Sequence, residues 1–263
     1  MLNKVMIKFS ANISLLFTEF EFLDRFNESN KLGFNAVEFL FPYEYDPHAI
    51  KRKLKQHHLS LSIFNSPPGN FKNGDRGLAC LPERKKEFKE SIATVIEYAK
   101  IINGKNIHVM AGLCEKHDDL TLKETFIENI KWACDQFQKN NLTLLIEPIN
   151  QRNIPSYFLS STDLAIDLIN IIDRSNLKLL FDIYHHQITS GDVTKYLEKC
   201  FPYIGHIQIA GIPNRNEPDD SELDYSYVFK VINDLNYNGW IGCEYNPKED
   251  TVSGLKWISE VNL

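Results

Sequence analysis

Short apolar runs alternate with longer segments of helical periodicity from one end of the chain to the other. The runs are rich in β-branched and aromatic residues, and several are almost entirely apolar, which is typical of strands in a parallel sheet covered by helices. The predicted strands are VMIKFSAN (5–12), FNAVEFLF (34–41), LSLSIFN (59–65), NIHVMAG (106–112), LTLLIEPIN (142–150), LKLLFDIY (177–184), YIGHIQIA (203–210) and WIGCEY (240–245). Helical periodicity follows each of them, over residues 19–31, 47–57, 83–102, 120–140, 162–174, 192–200, 225–235 and 250–261. The pattern therefore predicts eight successive β/α units.

Eight such units favour a single (β/α)₈ TIM barrel that spans residues 1–263 as one domain. A barrel of this kind takes about 250 residues, and no linker or low-complexity tract divides the chain. The alternative is an open, doubly wound sheet, which usually carries a glycine-rich turn after its first strand. The corresponding segment here, SANISLLFTE, contains no glycine. The sequence therefore predicts a closed barrel.

Charge and cysteine usage narrow the class of protein. The net charge of −6 argues against a nucleic-acid partner, because nucleic-acid binding normally requires a basic surface. The five cysteines form no C-x-x-C pair, which fits a reducing compartment. No stretch has the length or apolarity of a membrane span, and the N-terminal residues do not resemble a signal peptide. We expect a cytoplasmic protein that acts on a small molecule, and the sequence leaves open whether it forms a homo-oligomer.

Each of the last four predicted strands carries one oxygen-bearing side chain near its carboxyl end. These residues are Glu147, Asp182, Gln208 and Glu244, at separations of 35, 26 and 36 residues. The active sites of barrels lie at this end of the strands. A charge there is costly unless it is paired or bound to metal, and no Lys or Arg lies in these strand-end segments. Three carboxylates and one amide favour a single hard divalent cation, Mg²⁺ or Mn²⁺. A helix cap or a salt bridge explains one such residue more readily than four.

Two histidines accompany these strand ends. His185 follows Asp182 by three positions, so we expect it at the rim of the barrel, within reach of a substrate oxygen. His206 precedes Gln208 by two positions and therefore faces the interior one layer deeper. It is predicted either to support the site or to be an ordinary core histidine.

The loop after the seventh predicted strand contains one arginine, Arg215. A guanidinium group at this position suits a substrate carboxylate or phosphate. The alternative is a surface arginine paired with Glu217 or Asp219. Arg76, on the long loop after the third predicted strand, is a second candidate for binding an anion.

Several of these segments resemble the hydroxypyruvate isomerase family, within the xylose-isomerase-like barrel superfamily. The resemblance extends from about residue 9 to residue 257 and is carried by FSANISLLFTE, GFNAVEFLFPY, LIEPIN, FDIYHHQ, GHIQIAGIPNRNEPDDSELDY and YNGWIGCEYNP. It implies interconversion of hydroxypyruvate and 2-hydroxy-3-oxopropanoate (tartronate semialdehyde) by metal-assisted proton transfer through a cis-enediol. It also implies that Glu147 and Glu244 are the acid–base pair and that Asp182 and Gln208 complete the metal site.

Other functions stay open at this level. The 2-oxo-tetronate isomerases resemble the chain in HVMAG, QIAG and EPDD. The ketose 3-epimerases resemble it less, since they generally have histidine in place of Gln208. Relatives of endonuclease IV would need a multi-zinc cluster and a basic face. A non-catalytic, metal-binding structural barrel would not require two glutamates at one metal.

Overall fold

The computed structural model describes residues 7–114 and 120–261. Its eight strands are parallel, and each pairs with the next along the chain until β8 pairs with β1 and closes the barrel. The strands are β1 (Lys8–Asn12), β2 (Ala36–Phe39), β3 (Ser60–Asn65), β4 (Asn106–His108), β5 (Thr143–Ile146), β6 (Leu177–Asp182), β7 (Ile204–Ile209) and β8 (Trp240–Cys243). The predicted (β/α)₈ barrel is confirmed.

Helices connect successive strands and surround the sheet. They are α1 (Phe22–Lys31), α2 (Pro47–Gln56), α3 (Lys85–Ile102), α4 (Leu120–Gln138), α5 (Thr162–Ile172), α6 (Ile183–Thr189), α7 (Val193–Cys200), α8 (Tyr225–Asp234) and α9 (Trp257–Val261). Within the described ranges, no helix is long and apolar enough to cross a membrane.

Several predicted boundaries differ from the structure, and two of the differences change the type of element. The sixth predicted strand, 177–184, ends at Asp182, because the Asp182 side chain accepts the backbone N–H of Tyr184 and starts helix α6 at once. The last predicted helix, 250–261, is reduced to a 3₁₀ turn and the short α9. The first two residues of the first predicted strand, 5–12, lie outside the described residues.

The interior of the barrel has an apolar part and a polar part. Ile63, Leu145 and Leu180 form a small, fully buried apolar cluster. The polar part is centred on Glu38 of β2, which is completely buried. Gly242 of β8 leaves room for that carboxylate, because a Cβ atom at this position would collide with both Glu38 oxygens. This polar part lies beneath the carboxyl ends of β7 and β8.

Candidate active site

The four predicted strand-end residues come together at the carboxyl end of the barrel. Glu147 directly follows β5, Asp182 ends β6, Gln208 lies in β7 and Glu244 directly follows β8. Asp182 and Gln208 are register partners on adjacent strands, so their side chains lie side by side. All four are buried, with relative exposures of 3–6%.

The two oxygens of Asp182 have different environments. Oδ1 accepts the backbone N–H groups of Tyr184, at 2.8 Å, and His185, at 3.4 Å, and thereby caps helix α6. Oδ2 is buried without a hydrogen-bond partner. It lies 3.6 Å from His185 Nε2 and 3.9 Å from Arg215 Nη2. One oxygen therefore builds the local structure, and the other faces the site.

The two polar atoms of the Gln208 side chain also have different environments. Its amide Nε2 donates to Glu38 Oε1 at 2.7 Å, whereas its Oε1 is buried without a partner. Glu38 also accepts hydrogen bonds from Asn12 and Ser62, and its Oε2 lies 2.9 Å from His206 Nε2. His206 thus supports the site from the layer below, one of its two predicted roles. Sequence reasoning missed Glu38, although an acid within the otherwise apolar AVEF strand was the available signal.

Hydrogen bonds hold both carboxylate oxygens of Glu244. Asn12 Nδ2 donates to Oε1 at 3.2 Å, and Arg215 Nη2 donates to Oε2 at 2.7 Å. Arg215 reaches this position because its loop folds back: its N–H donates to Gly211 O, and its own carbonyl accepts from Asn246 N–H. The strand-end segments lack a Lys or Arg, as the sequence shows, and the loop after β7 supplies the cation that pairs with Glu244.

The surface alternative for Arg215 also fails. The structure shows no contact of Arg215 with Glu217 or Asp219 among its described ion pairs, and the side chain is only 22% exposed. Its guanidinium lies 5.4 Å from the ring centre of Tyr184, within the range of a cation–π contact. The other candidate, Arg76, packs its guanidinium on the Phe71 ring and donates to the Phe71 and Asp75 carbonyls. Arg215 is thus the arginine that the structure brings to the predicted residues.

Glu147 lies between two histidines. Its Oε2 is 3.3 Å from His108 Nδ1, and its Oε1 is 3.8 Å from His185 Nε2. His185 sits in the first turn of the unpredicted helix α6, three positions after Asp182, and therefore points to the same place. The prediction that His185 lies at the site is consistent with this geometry, and His108 joins it from β4.

Burial and mutual repulsion raise the pKa values of the carboxyl groups. The pKa of Glu147 lies well above its usual value because of burial and the nearby charges of Glu244 and Asp182. Burial raises the pKa of Glu244 to about 8, although Arg215 opposes the shift. The pKa of Asp182 is also raised by burial, against the opposing effect of Arg215. A cation among these groups would relieve the repulsion.

The histidine rings are shifted in the opposite direction. Burial lowers the pKa of His108 to about 3. Burial, together with the charge of Arg215, lowers the pKa of His185 well below its usual value. Because desolvation disfavours a charged ring, the imidazoles are neutral at physiological pH.

The donor set fits a divalent cation. Within the described part of the chain, ligand atoms of Glu147, Asp182 and His185 lie within 4.8 Å of one another. The orphaned oxygens of Asp182 and Gln208 provide independent support, since a buried polar atom without a partner costs about 1–3 kcal/mol. These residues can therefore hold a metal ion.

A cavity of about 140 Å³ opens onto these groups. Its polar wall comes from Asn65, His108, Glu147, Asn153, His185, Arg215 and Glu244, and its apolar wall from Leu15, Leu40, Phe41, Phe71, Met110, Ile149 and Ile154. Concave sites with a mostly apolar wall and a few converging polar groups are typical of small-molecule binding. Both candidate acid–base residues, Glu147 and Glu244, line this one cavity.

Comparisons with known proteins show the family of the chain. The xylose isomerase-like TIM barrel family matches residues 26–261. A 2-oxo-tetronate isomerase of Cupriavidus necator is 44% identical over 96% of the chain and 98% of its own length. A hydroxypyruvate isomerase of Escherichia coli is 41% identical, with the same two coverages.

A solved structure is similarly close. A crystal structure from Brucella melitensis, described as an AP endonuclease of family 2, superposes with a TM-score of 0.95. It is 42% identical and covers 98% of this chain and 100% of its own. Sugar epimerases with 14–18% identity share the fold. The chain belongs to the xylose isomerase-like TIM barrel family, and close relatives within it are isomerases.

Proposed function

We propose that this protein interconverts a small 2-oxo acid with its aldehyde isomer, and that hydroxypyruvate and 2-hydroxy-3-oxopropanoate are the pair. The observation that carries the proposal is the presence of two buried glutamates, Glu147 and Glu244, on one small cavity beside two orphaned ligand oxygens. Relatives at 40–44% identity named as hydroxypyruvate and 2-oxo-tetronate isomerases support the same reaction type.

One divalent cation, Mg²⁺ or Mn²⁺, completes the proposed site. Glu147, Asp182, Gln208 and Glu244 would hold it, since oxygen donors suit hard cations. When bound, such a cation polarises a carbonyl group and lowers the barrier to removal of the adjacent proton. Glu38 maintains the ligand set by holding the Gln208 amide nitrogen, so that the amide oxygen stays free.

The glutamates carry the proton transfer in this proposal. One carboxylate removes a proton from the hydroxymethyl carbon of hydroxypyruvate, which leaves a cis-enediolate with its negative charge on the former ketone oxygen. The other glutamate, in its protonated form, gives a proton to the former ketone carbon, and the hydroxyl group on the neighbouring carbon passes its proton to the former ketone oxygen as the aldehyde forms. Reversal of the reaction exchanges the two roles. Positioned acid–base groups of this kind contribute roughly 10²–10⁴-fold to rate.

Arg215 and His185 are proposed to bind the substrate. Arg215 lines the cavity and lies 2.7 Å from Glu244 and 3.9 Å from Asp182. A cation bound by those acids would offset their charge and leave the guanidinium available for the substrate carboxylate. His185 lines the same cavity.

The substrate is tested by comparing the turnover of three compounds. The protein is incubated with hydroxypyruvate, with the four-carbon 2-oxo-tetronate and with fructose, each with Mn²⁺, Mg²⁺ or EDTA, in deuterated water. We expect metal-dependent formation of the aldehyde from hydroxypyruvate, with deuterium on the carbon that gains the proton. A higher kcat/KM on 2-oxo-tetronate would establish that substrate instead, since a relative at 44% identity carries that name. No conversion of either acid with metal present would overturn the proposal.

A nuclease function has weaker support, although a similar structure is described as an endonuclease. The net charge is −6, and the described residues that can group around a metal form one cluster rather than several. Incubation of the metal-loaded protein with abasic DNA provides the check, and we expect no cleavage.

A further inference from the structure

The backbone fixes the orientation of the Asn150 side-chain amide. The N–H of Asn153 donates to Asn150 Oδ1 at 2.8 Å. A backbone N–H can only donate, so the atom that it meets is the amide oxygen. The amide nitrogen therefore points the other way, where it lies 2.7 Å from His185 Nδ1.

This contact determines which nitrogen of His185 carries hydrogen. Two donors meet Nδ1: the amide nitrogen of Asn150 and the backbone N–H of the same residue, at 3.4 Å. A nitrogen that accepts hydrogen bonds must offer its lone pair, so Nδ1 carries no hydrogen. The ring hydrogen is then on Nε2.

The surroundings of Nε2 agree with this assignment. Nε2 lies 3.6 Å from Asp182 Oδ2 and 3.8 Å from Glu147 Oε1, and both oxygens are acceptors. An N–H group beside carboxylate oxygens is attracted to them, whereas the lone pair of an unprotonated ring nitrogen would repel the lone pairs of those oxygens. The ring is 2% exposed and lines the cavity, which leaves its N–H as a donor toward whatever occupies that space.

We propose that Asn150 is a positioning residue that keeps His185 in the Nε2–H tautomer, so that His185 donates a hydrogen bond to a substrate oxygen and is not a metal ligand. A nitrogen that carries hydrogen has no lone pair for a cation. Of the three side chains whose ligand atoms lie close together, Glu147, Asp182 and His185, the histidine is therefore not a metal ligand. The proposed ligands are then all oxygen atoms. The substrate class is an α-hydroxycarbonyl compound. The hydrogen bond from His185 is donated to the substrate oxygen that gains negative charge when the adjacent carbon loses its proton. This role rests on the proposed function, whereas the tautomer does not.

The tautomer is measured first in the metal-free wild-type protein, labelled with ¹⁵N at histidine. The two ring nitrogens have well-separated ¹⁵N shifts according to whether they carry hydrogen. We expect hydrogen on Nε2 and none on Nδ1 of His185. Hydrogen on Nδ1 would overturn the proposal, whatever the activity of the protein.

Asn150→Asp tests the cause. Its carboxylate still accepts the Asn153 N–H but offers an acceptor to the ring, so we expect Nδ1 to gain hydrogen in the same ¹⁵N spectrum. Asn150→Ala leaves only the backbone donor at 3.4 Å, so the occupancy of hydrogen on Nδ1 should lie between those of the wild type and Asn150→Asp. An unprotonated Nδ1 in Asn150→Asp would show that Asn150 does not set the tautomer.

Mn²⁺ titration followed by electron paramagnetic resonance tests the ligand set. His185→Gln keeps an N–H toward Asp182 and Glu147 and should bind Mn²⁺ within about threefold of wild type, whereas His185→Leu loses that outer-shell contact, a kind of change that costs roughly 10–100-fold. A loss above tenfold in both variants would make His185 a ligand and overturn the proposal. His186→Gln is the matched control, because this buried neighbour on α6 contacts Thr162 at 2.8 Å instead of the cavity.

Measurement of kcat distinguishes a hydrogen-bond donor role of His185 from a packing role. His185→Gln retains a side-chain N–H and should keep kcat within about tenfold, whereas His185→Leu should lose about 10²–10³-fold, the value of one preorganised donor. Equal losses in the two variants would contradict the donor role. If the wild type turns over neither acid, the proposed function fails, while the ¹⁵N and Mn²⁺ results still decide the tautomer and the ligand set.

Discussion

Glu244 and Glu147 line the same cavity, but their carboxylates are held differently. Hydrogen bonds from Asn12 and Arg215 occupy the two oxygens of Glu244, at 3.2 and 2.7 Å. Glu147 lies beside two histidines at the longer distances of 3.3 and 3.8 Å. The side of the site formed by β7, β8, β1 and β2 is thus built on a hydrogen-bonded polar network, whereas the side formed by β4–β6 presents a carboxylate to neutral rings.

The difference has an energetic meaning. A buried carboxylate with a guanidinium partner is partly compensated, whereas one that faces neutral imidazoles bears most of its desolvation cost. Before metal binds, the charge of Glu147 should therefore cost the fold more free energy than the charge of Glu244. Both glutamates are nevertheless expected to be essential for turnover, so their variants should lose activity alike but differ in stability.

The largest expected effect is on kcat. Glu147→Gln and Glu244→Gln should each lower kcat by roughly 10²–10⁴-fold, because glutamine keeps a ligand oxygen but cannot accept a proton. The double variant should be little worse than either single one, since both residues serve one proton transfer. Steady-state kinetics on hydroxypyruvate provide the measurement. A kcat like that of the wild type in either single variant would remove that residue from the chemistry.

Next in size is the effect of Arg215→Ala on kcat/KM. A charge-assisted guanidinium–carboxylate contact contributes on the order of 1.5–3 kcal/mol, so the loss should be about 10–100-fold. Arg215→Lys should recover only part of it, because an ammonium cannot form the bidentate contact. The comparison is made on hydroxypyruvate and on fructose. An equal loss on both would mean that Arg215 acts through Glu244 and not on the substrate carboxylate.

The stability of the metal-free protein sharpens the contrast between the two glutamates. In EDTA at pH 8, Glu147→Gln should raise the Tm more than Glu244→Gln, because the second change leaves the Arg215 guanidinium without its closest partner. A difference of about 1–3 kcal/mol corresponds to several degrees for a chain of this size. Differential scanning calorimetry provides the measurement, and an equal or larger rise in Tm for Glu244→Gln would refute the contrast.

The smallest expected effect is the pH dependence of metal stabilisation. Burial raises the pKa of Glu244 to about 8 and that of Glu147 well above its usual value. Between about pH 4.5 and 8 the folded protein therefore binds protons that the unfolded chain has released, so metal-free stability falls as pH rises. A cation replaces those protons, and its stabilising effect should grow over the same range. The Tm difference between Mg²⁺ and EDTA is measured from pH 5.5 to 8.5, and a constant difference would contradict the expectation.

The fold could be predicted because its signals are local and repeated. Eight apolar runs separated by helical periodicity leave few arrangements besides a barrel, and the strands lie within the predicted segments over the described residues. The strand-end residues could be predicted for the same reason, since equivalent positions of successive units converge at one end. Their roles as ligands and acid–base groups stay predictions until the experiments above are made.

Other features depend on contacts that are distant in sequence. Glu38 lies 170 positions from Gln208, yet their hydrogen bond leaves the amide oxygen free. Asn150 and His185 are 35 positions apart, and their contact sets the tautomer. The predicted strand 177–184 includes the first two residues of helix α6, because periodicity does not show that the Asp182 side chain caps a helix at this point.

The sequence by itself therefore determined the repeating unit, the closure of the barrel and the end at which polar side chains gather. Periodicity and the cost of burying charge act residue by residue, so they can be read along the chain. Only the tertiary structure decided the partner of each polar group: Arg215 with Glu244, Glu38 with Gln208 and Asn150 with His185. Hydrogen bonds depend on the distance and direction between groups that the fold brings together, and the spacing of residues along the chain specifies neither.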